Sequence, residues 1–221
     1  EISLGLVGSE MCIRDSSWNY ELGGHFSCMD GAVRGDFALF YIDCRDQQLT
    51  VFPEGQITGR LMTNAGRTRS FGGEASLLAT LWRNLDLQVA YGYTRATFVK
   101  FDTGKADYAG NFIPYAPQHT LYAGASYTLR TGWNWLEYVI FRVAANGAGR
   151  IYWNEANTFS QPFYALLEAS IRFEHRHWAV DVWGRNLTDT RYDTFYFMSI
   201  GNSFLQRGRP RTFGVSLSIT L

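Results

Sequence analysis

"GRPRTFGVSLSITL", residues 208–221, separates into two interleaved sets of side chains. Arg209, Arg211, Phe213, Val215, Leu217, Ile219 and Leu221 fall on one phase, and Pro210, Thr212, Gly214, Ser216, Ser218 and Thr220 on the other. Successive residues of a strand point to opposite faces, so this period-2 pattern predicts a β-strand with one apolar face. The alternation continues to the last residue, where a polar, frayed tail is the common outcome.

The same pattern recurs upstream. It predicts strands over 18–28 (Trp18, Tyr20, Leu22, Phe26, Cys28), 33–43 (Val33, Phe37, Leu39, Tyr41), 70–81 (Phe71, Ala75, Leu77, Ala79, Leu81) and 85–94 (Leu85, Leu87, Val89, Tyr91, Tyr93). It continues over 120–130 (Leu121, Ala123, Ala125, Tyr127, Leu129), 163–174 (Phe163, Ala165, Leu167, Ala169, Ile171, Phe173) and 178–186 (Trp178, Val180, Val182), and more weakly over 137–147 (Val139, Phe141, Val143, Ala145). With the C-terminal segment these make nine strands, and no segment carries a helical period. The chain is read as all-β.

The connections alternate in length. Short ones fall at Asp30-Gly31, a two-residue hairpin pair, and at "WRN" (82–84), "RTGWNW" (130–135) and "EHRH" (174–177). Between them lie a connection of fifteen or more residues through "VFPEGQITGR", then "KFDTGKADYAGNFIPYAPQ", "GRIYWNEANTFSQP" and "TDTRYDTFYFMSIGNSFLQ". An antiparallel meander with this rhythm has short turns at one end and long loops at the other, as in outer-membrane barrels with periplasmic turns and extracellular loops.

Charge placement agrees with a barrel in lipid. A Lys or Arg on the lipid face costs about 2–4 kcal/mol at the midplane and almost nothing at the interface. Asp43, Arg69, Arg95, Glu137, Arg209 and Arg211 share the apolar phase but lie at strand ends, while Glu74, Asp86, Arg142, Glu168, Arg172 and Asp181 lie mid-strand on the opposite phase. Trp82, Trp133, Trp135 and Trp178 gather at the short-turn end, as an interfacial belt would. A soluble β-sandwich also alternates, but its strands are shorter and its turns follow no such rule.

The bulk composition is compatible. The 221 residues suffice for one domain or part of a larger one, and 20 basic residues balance 20 acidic ones, so no net field favours nucleic acid. No apolar run reaches 18 residues, which excludes a transmembrane helix and leaves a barrel open, since alternation keeps the mean hydropathy at −0.17. Cys12, Cys28 and Cys44 make no disulfide framework: a hairpin at Asp30-Gly31 sets Cys28 opposite about residue 33, far from Cys44. Residues 1–16, "EISLGLVGSEMCIRDS", lack the marks of a signal peptide and resemble a translated sequencing adapter. They are read as a non-native segment, which leaves 17–221 as the barrel portion and implies that the gene begins upstream.

Four motifs carry a family resemblance: "NAGRTRSFGGE" (64–74), "GNFIPYAPQHT" (110–120), "GRNLTDTRYD" (184–193) and the terminal "GRPRTFGVSLSITL". In their order and spacing they resemble the C-terminal barrel of TonB-dependent outer-membrane receptors, matching at Asn64, Gly66, Gly72, Glu74, Pro114, Ala116, Pro117, His119, Thr120, Asn186, Leu187, Asp189, Tyr192, Gly208, Pro210 and Arg211. These residues read as architectural, with Asn and Asp capping turns and Pro210 at a strand start. The resemblance implies an antiparallel, up-and-down transmembrane β-barrel of about 22 strands, of which this chain supplies the last nine. It further implies a Gram-negative outer-membrane location, contact with membrane lipid and lipopolysaccharide, and an N-terminal plug that reaches TonB, absent from this chain. The implied cargo is a scarce nutrient, above all a ferric siderophore, with cobalamin, haem or oligosaccharide as alternatives. A small porin or a barrel enzyme is the rival reading. The family ends most often in an aromatic residue, whereas Leu221 stands here.

No enzyme site is expected, because no Gly-x-Ser-x-Gly elbow or Ser/His/Asp grouping occurs. No cofactor is expected either. Glu174, His175 and His177 sit in a short turn without a further ligand, so no metal site is expected. In the long loops, aromatic and basic residues suit an anionic chelate or a ring-rich ligand. Tyr115, Arg150, Trp153, Arg191 and Tyr196 are the candidate ligand contacts, against the alternative that loop aromatics simply pack on one another.

Overall fold

A strand with one apolar face needs neighbours whose apolar residues fall on that same face, since a slip of one residue turns every side chain over. In the computed structural model, which describes residues 14–51, 61–82, 84–103, 106–199 and 202–220, the registers meet this condition. One row of directly opposed residues runs Phe26, Gly35, Leu77, Val89, Ala123, Ala145 and Leu167. Another runs Leu81, Leu85, Tyr127, Phe141, Ile171, Val182 and Val215. On the other face, the row Thr80, Asp86, Ser126, Arg142, Ser170, Trp183 and Gly214 is mostly polar.

These rows belong to one antiparallel sheet of nine strands in sequential order: β1 (Ser16–Cys28), β2 (Val33–Val51), β3 (Leu61–Leu81), β4 (Leu85–Lys100), β5 (His119–Trp133), β6 (Leu136–Ala148), β9 (Tyr164–His175), β10 (Trp178–Arg185) and β13 (Thr212–Ile219). Two small hairpins lie within the long connections, β7 (Ile151–Tyr152) with β8 (Ser160–Gln161), and β11 (Asp193–Ser199) with β12 (Asn202–Arg207). All nine expected strands are present, and short turns alternate with long loops as expected. No pairing joins β1 to β13 among the described residues, so both are edges of the sheet.

Four local expectations are corrected. The ladder of β2 and β3 continues to Val51 opposite Leu61, so the connection expected to span fifteen or more residues is shorter. Between Asp43 and Val51 the ladder adds roughly 26 Å of strand. Beyond Asp43 the apolar alternation of the sequence fades while the pairing of the ladder goes on. The β1–β2 turn spans Met29–Ala32 rather than two residues, since Cys28 is the last residue paired, with Val33. The final strand starts at Thr212 instead of Arg209, because Pro210 and Arg211 belong to a corner described below. The connection expected as loop carries the β11–β12 hairpin, whose sequence signal is the Gly-Asn dipeptide at 201–202. Of the segment read as non-native, Ser16 opens β1, and residues 1–13 lie outside the described residues, as do Cys12 and Leu221. Cys28 and Cys44 are both free thiols.

The two faces meet different surroundings. A soluble monomer of 25.1 kDa would expose about 10,000 Å², whereas this chain exposes 15655 Å². Large side chains of the apolar phase are among the exposed ones: Leu22, Leu39, Val89, Phe213 and Leu217 are 70%, 58%, 47%, 69% and 65% exposed. A sandwich would bury these residues between two layers. A single sheet with a bare apolar face is instead matched to hydrocarbon. The opposite face binds its charges internally: Arg172 pairs with Glu174 (2.8 Å) and Asp181 (3.0 Å), Thr80 donates to Asp86 (2.8 Å), and Ser76 donates to Asp36 (3.1 Å). At the short-turn end Trp133 and Trp135 stack at 5.3 Å, and Trp82 is 85% exposed.

The corner between β10 and β13 explains one motif. Asn186, 4% exposed with φ 50°, accepts from the Thr190 amide (2.8 Å) and donates to the Thr190 and Arg209 carbonyls. Asp189, φ 52°, accepts from the Arg211 amide at 3.0 Å. A β-carbon on Gly208 would stand 2.1 Å from the Tyr192 ring, which stacks on Tyr164 at 4.5 Å. Asn, Asp and Gly are the residues that tolerate or create such a left-handed, self-capped corner.

Two outcomes follow for the intact receptor. Leu77→Arg, on the apolar face, is expected to cost about 2–4 kcal/mol in a denaturant titration of the lipid-inserted protein, against under about 1 kcal/mol for Ser76→Arg next to it. Equal costs would refute the assignment of faces. Gly208→Ala is expected to displace the Tyr192 ring and to speed limited proteolysis of the β11–β12 hairpin, with unchanged cleavage as the contrary result.

Candidate functional site

The three long loops after β4, β6 and β10 fold onto one another. The first, 101–118, returns over its own strand: the Phe98 amide donates to the Asn111 carbonyl (2.9 Å), and the Ile113 amide to the Ala96 carbonyl (3.0 Å). Phe98 and Phe101, 1% and 2% exposed, form a small core with Tyr108 and Ile113. The second loop turns through β7 and β8, with Asn154 accepting from the Thr158 amide at 3.0 Å. The third is the β11–β12 hairpin.

Asn157 clamps the first two loops. With φ 55°, it accepts from the Phe112 amide (2.7 Å) and donates to the Phe112 carbonyl (2.9 Å), so its carboxamide completes a strand-like pair for a backbone 45 residues away. Asn111 donates to the Glu155 carbonyl at 2.8 Å, and Phe112 stacks on Tyr152 at 5.4 Å. Burial pushes the Glu155 carboxyl above its usual range.

Tyr115 joins all three loops. Its backbone has φ 64°, its amide donates to the Tyr152 carbonyl (2.8 Å), and its hydroxyl donates to the Tyr196 carbonyl (2.9 Å). Its ring stands 5.5 Å from both Trp153 and Phe195. From Phe195 the rings continue to Phe197 (5.6 Å) and then to Phe204 (5.0 Å, stacked). Trp153 and Tyr196, each 7% exposed, pack in one core with Ile151, whereas Tyr115 remains 45% exposed. The buried Gln161 accepts from the Asp193 amide at 2.8 Å and so ties the hairpin to the second loop.

Three of the five candidate residues, Tyr115, Trp153 and Tyr196, therefore meet in one cluster. Within it Trp153 and Tyr196 lie in the interior, where they hold Tyr115 and present almost no surface to a ligand. Arg150 is exposed and joins the same ladder through its carbonyl, which accepts from the Gln118 amide at 3.2 Å. Arg191 is also exposed, next to the Tyr192–Tyr164 stack, and no contact among the described residues links its side chain to the cluster. Asn157, Asn111, Gln161 and Phe204 were missed by sequence reasoning; only the turn-forming character of the asparagines signalled them. The arrangement offers aromatic faces and an exposed guanidinium, which can hold a planar or anionic solute. Among the described residues no three His, Cys, Asp or Glu side chains are grouped to hold a metal. Below the loops, the sheet bounds an open hollow of 660 Å³ whose lining includes Asp36, Glu74, Ser76, Tyr122, Asn146 and Tyr164.

Known proteins share this framework. Pesticin receptors of Yersinia pestis and Yersinia enterocolitica are 26% and 27% identical over 213 residues, covering 94% of this chain and 29% of each receptor. The crystal structure of the ferric yersiniabactin uptake receptor FyuA from Yersinia pestis superposes with a TM-score of 0.77 at 24% identity, over 93% of this chain and 30% of that one. The siderophore receptor PiuA from Acinetobacter baumannii gives 0.70 at 18% identity over 91% and 28%. The chain thus spans less than a third of the length of these relatives. Residues 16–187 match the model of the family described as TonB dependent receptor-like, beta-barrel. The chain belongs to this family of Gram-negative outer-membrane receptors.

Proposed function

We propose that this chain forms nine strands of the barrel of a receptor that binds a ferric siderophore at the cell surface and imports it with energy passed on by TonB. The observation that carries the reading is the Tyr115 cluster: three loops held in one body, with a half-exposed aromatic ring and the exposed Arg150 on the same loop ladder. An aromatic face and a guanidinium suit a ferric chelate, which combines flat donor groups with negative charge. The names of the relatives point the same way, since a ferric yersiniabactin uptake receptor, a siderophore receptor and a ferric citrate transporter share the fold. Tyr115 and Arg150 are proposed as ligand contacts, with Arg191 at the margin, and Trp153 and Tyr196 as their support. Cobalamin, haem and oligosaccharides are the competing cargoes, and a surface that recognised a glycan would depend less on the guanidinium.

Deletion of the gene is expected to abolish growth on one ferric siderophore as sole iron source and to leave growth on cobalamin or glycans unchanged; the reverse pattern overturns the reading. In the restored receptor, Arg150→Ala removes a charge-assisted hydrogen bond and should weaken ligand binding about tenfold with the protein still folded. Tyr115→Phe keeps the ring but loses the bond to the Tyr196 carbonyl, and its effect should be smaller. Full binding by Arg150→Ala would remove that residue from the site.

A further inference from the structure

The strand pairing of β4 with β5 ends where Tyr93 opposes His119, yet β4 runs on to Lys100. Residues 111–113 of the first long loop take the place beside this upper stretch. The Phe98 amide donates to the Asn111 carbonyl (2.9 Å) and the Ile113 amide to the Ala96 carbonyl (3.0 Å), with Thr97 bridged to Phe112. Along a strand, the backbone groups of successive residues point to alternate sides. Asn111 and Ile113 therefore face β4, and Phe112 turns its N–H and C=O the other way. There a side chain, not a strand, meets them.

That side chain is Asn157, and the turn that carries it is braced by its own bonds. The Asn157 amide and Nδ2 both donate to the Asn154 carbonyl at 3.0 Å, and Asn154 Oδ1 accepts from the Thr158 (3.0 Å) and Phe159 (3.3 Å) amides. Nδ2 also donates to the Phe112 carbonyl (2.9 Å), while Oδ1 accepts from the Phe112 amide (2.7 Å). Both hydrogens and the oxygen of the carboxamide are thus engaged. A carboxylate in its place would set a charged oxygen against two carbonyls. The φ of 55° narrows the position further, to Asn, Asp or Gly. Tyr115 lies three residues beyond Phe112, and its own amide is tied to the Tyr152 carbonyl at 2.8 Å. Between them stand Ile113, held by Ala96, and Pro114, whose ring fixes φ. Little slack separates the Asn157 clamp from Tyr115.

We infer that Asn157 is a positioning residue for ligand capture: it does not touch the ligand, but holds Phe112 so that the backbone carrying Tyr115 stands at one height and angle. The inference rests on the reading of Tyr115 as a ligand contact, and adds to it a residue of the neighbouring loop. Trp153 and Phe195 flank the Tyr115 ring, each 5.5 Å away, whereas Asn157 sets the chain from which the ring springs. The second loop is the template here and the first is its client, because the Asn154–Asn157 turn closes on itself and the 111–113 segment depends on it for one edge.

Two variants of the full-length receptor separate backbone from side chain. Asn157→Asp keeps the left-handed backbone and the acceptor but removes both donors; Asn157→Gly keeps the backbone alone. Hydrogen exchange is followed over 110–118, and uptake is measured with the ferric siderophore on which the strain grows; heat-dependent gel mobility reports folding. Asn157→Asp is expected to speed exchange at Phe112 and Tyr115. It should also raise the half-saturating siderophore concentration about tenfold at an unchanged maximal rate. Asn157→Gly lets water serve Phe112 and should give a smaller rise. A receptor that was merely less well folded would lose maximal rate instead. In a Tyr115→Ala background Asn157→Asp should add nothing, since its effect runs through that ring. Unchanged exchange at Tyr115, a lowered maximal rate with unchanged half-saturation, or an equal further loss in the Tyr115→Ala background would each overturn the inference. If the wild-type receptor takes up no ferric siderophore, the cargo assignment fails, and exchange at Tyr115 in Asn157→Asp still decides whether Asn157 positions it.

Discussion

Hydrocarbon offers a backbone no hydrogen-bond partner, and each unpaired amide or carbonyl there costs several kcal/mol. The architecture follows from that constraint. A single sheet can satisfy it only by continuous pairing, and continuous pairing fixes parity: once Val89 faces Leu77 and Ala123, the whole row is committed to one surface. The apolar row therefore reaches lipid and the rows between it reach water, and ion pairs such as Arg172–Asp181 are confined to the second surface.

Above the lipid the constraint relaxes, and a different chemistry organises the chain. Water can serve any exposed amide, so the loops do not need ladders; they have fragments of them. Asn157 imitates a neighbouring strand for Phe112, and Gln161 caps the start of β11. Aromatic rings fill the space between these fragments, giving two small cores around Phe98 and around Trp153 in place of one large one. Binding groups such as Tyr115 are placed by this irregular packing rather than by the sheet.

The division also decides what could be read from the sequence. The nine strands were legible because lipid imposes period 2 on every one of them, even the weak 137–147 segment, where Val139 and Phe141 kept phase with Phe173 and Ile171. The upper halves of β2 and β3 were not, because there the ladder carries no apolar signature. At the loops, residue type was legible and position was not. Trp153 and Tyr115 look equivalent in sequence, yet one is buried and one half-exposed, because Trp153 packs in a core with Ile151 and with Tyr196 of a distant loop. Asn186 and Asp189 stand between these extremes: their capping is local, and their chemistry announced it.

The position of Tyr115 has a further consequence for how such a surface can change. One side chain carries a bond to one loop and ring contacts to two, so the three loops are joined into one surface. Grafting a single loop from another receptor would leave the Tyr196 carbonyl or the Tyr115 amide facing a stranger. Specificity is then not modular loop by loop. The heritable unit of recognition is the trio, and new cargo preferences would be reached by exchanging the trio whole or by altering the exposed residues that rest on it.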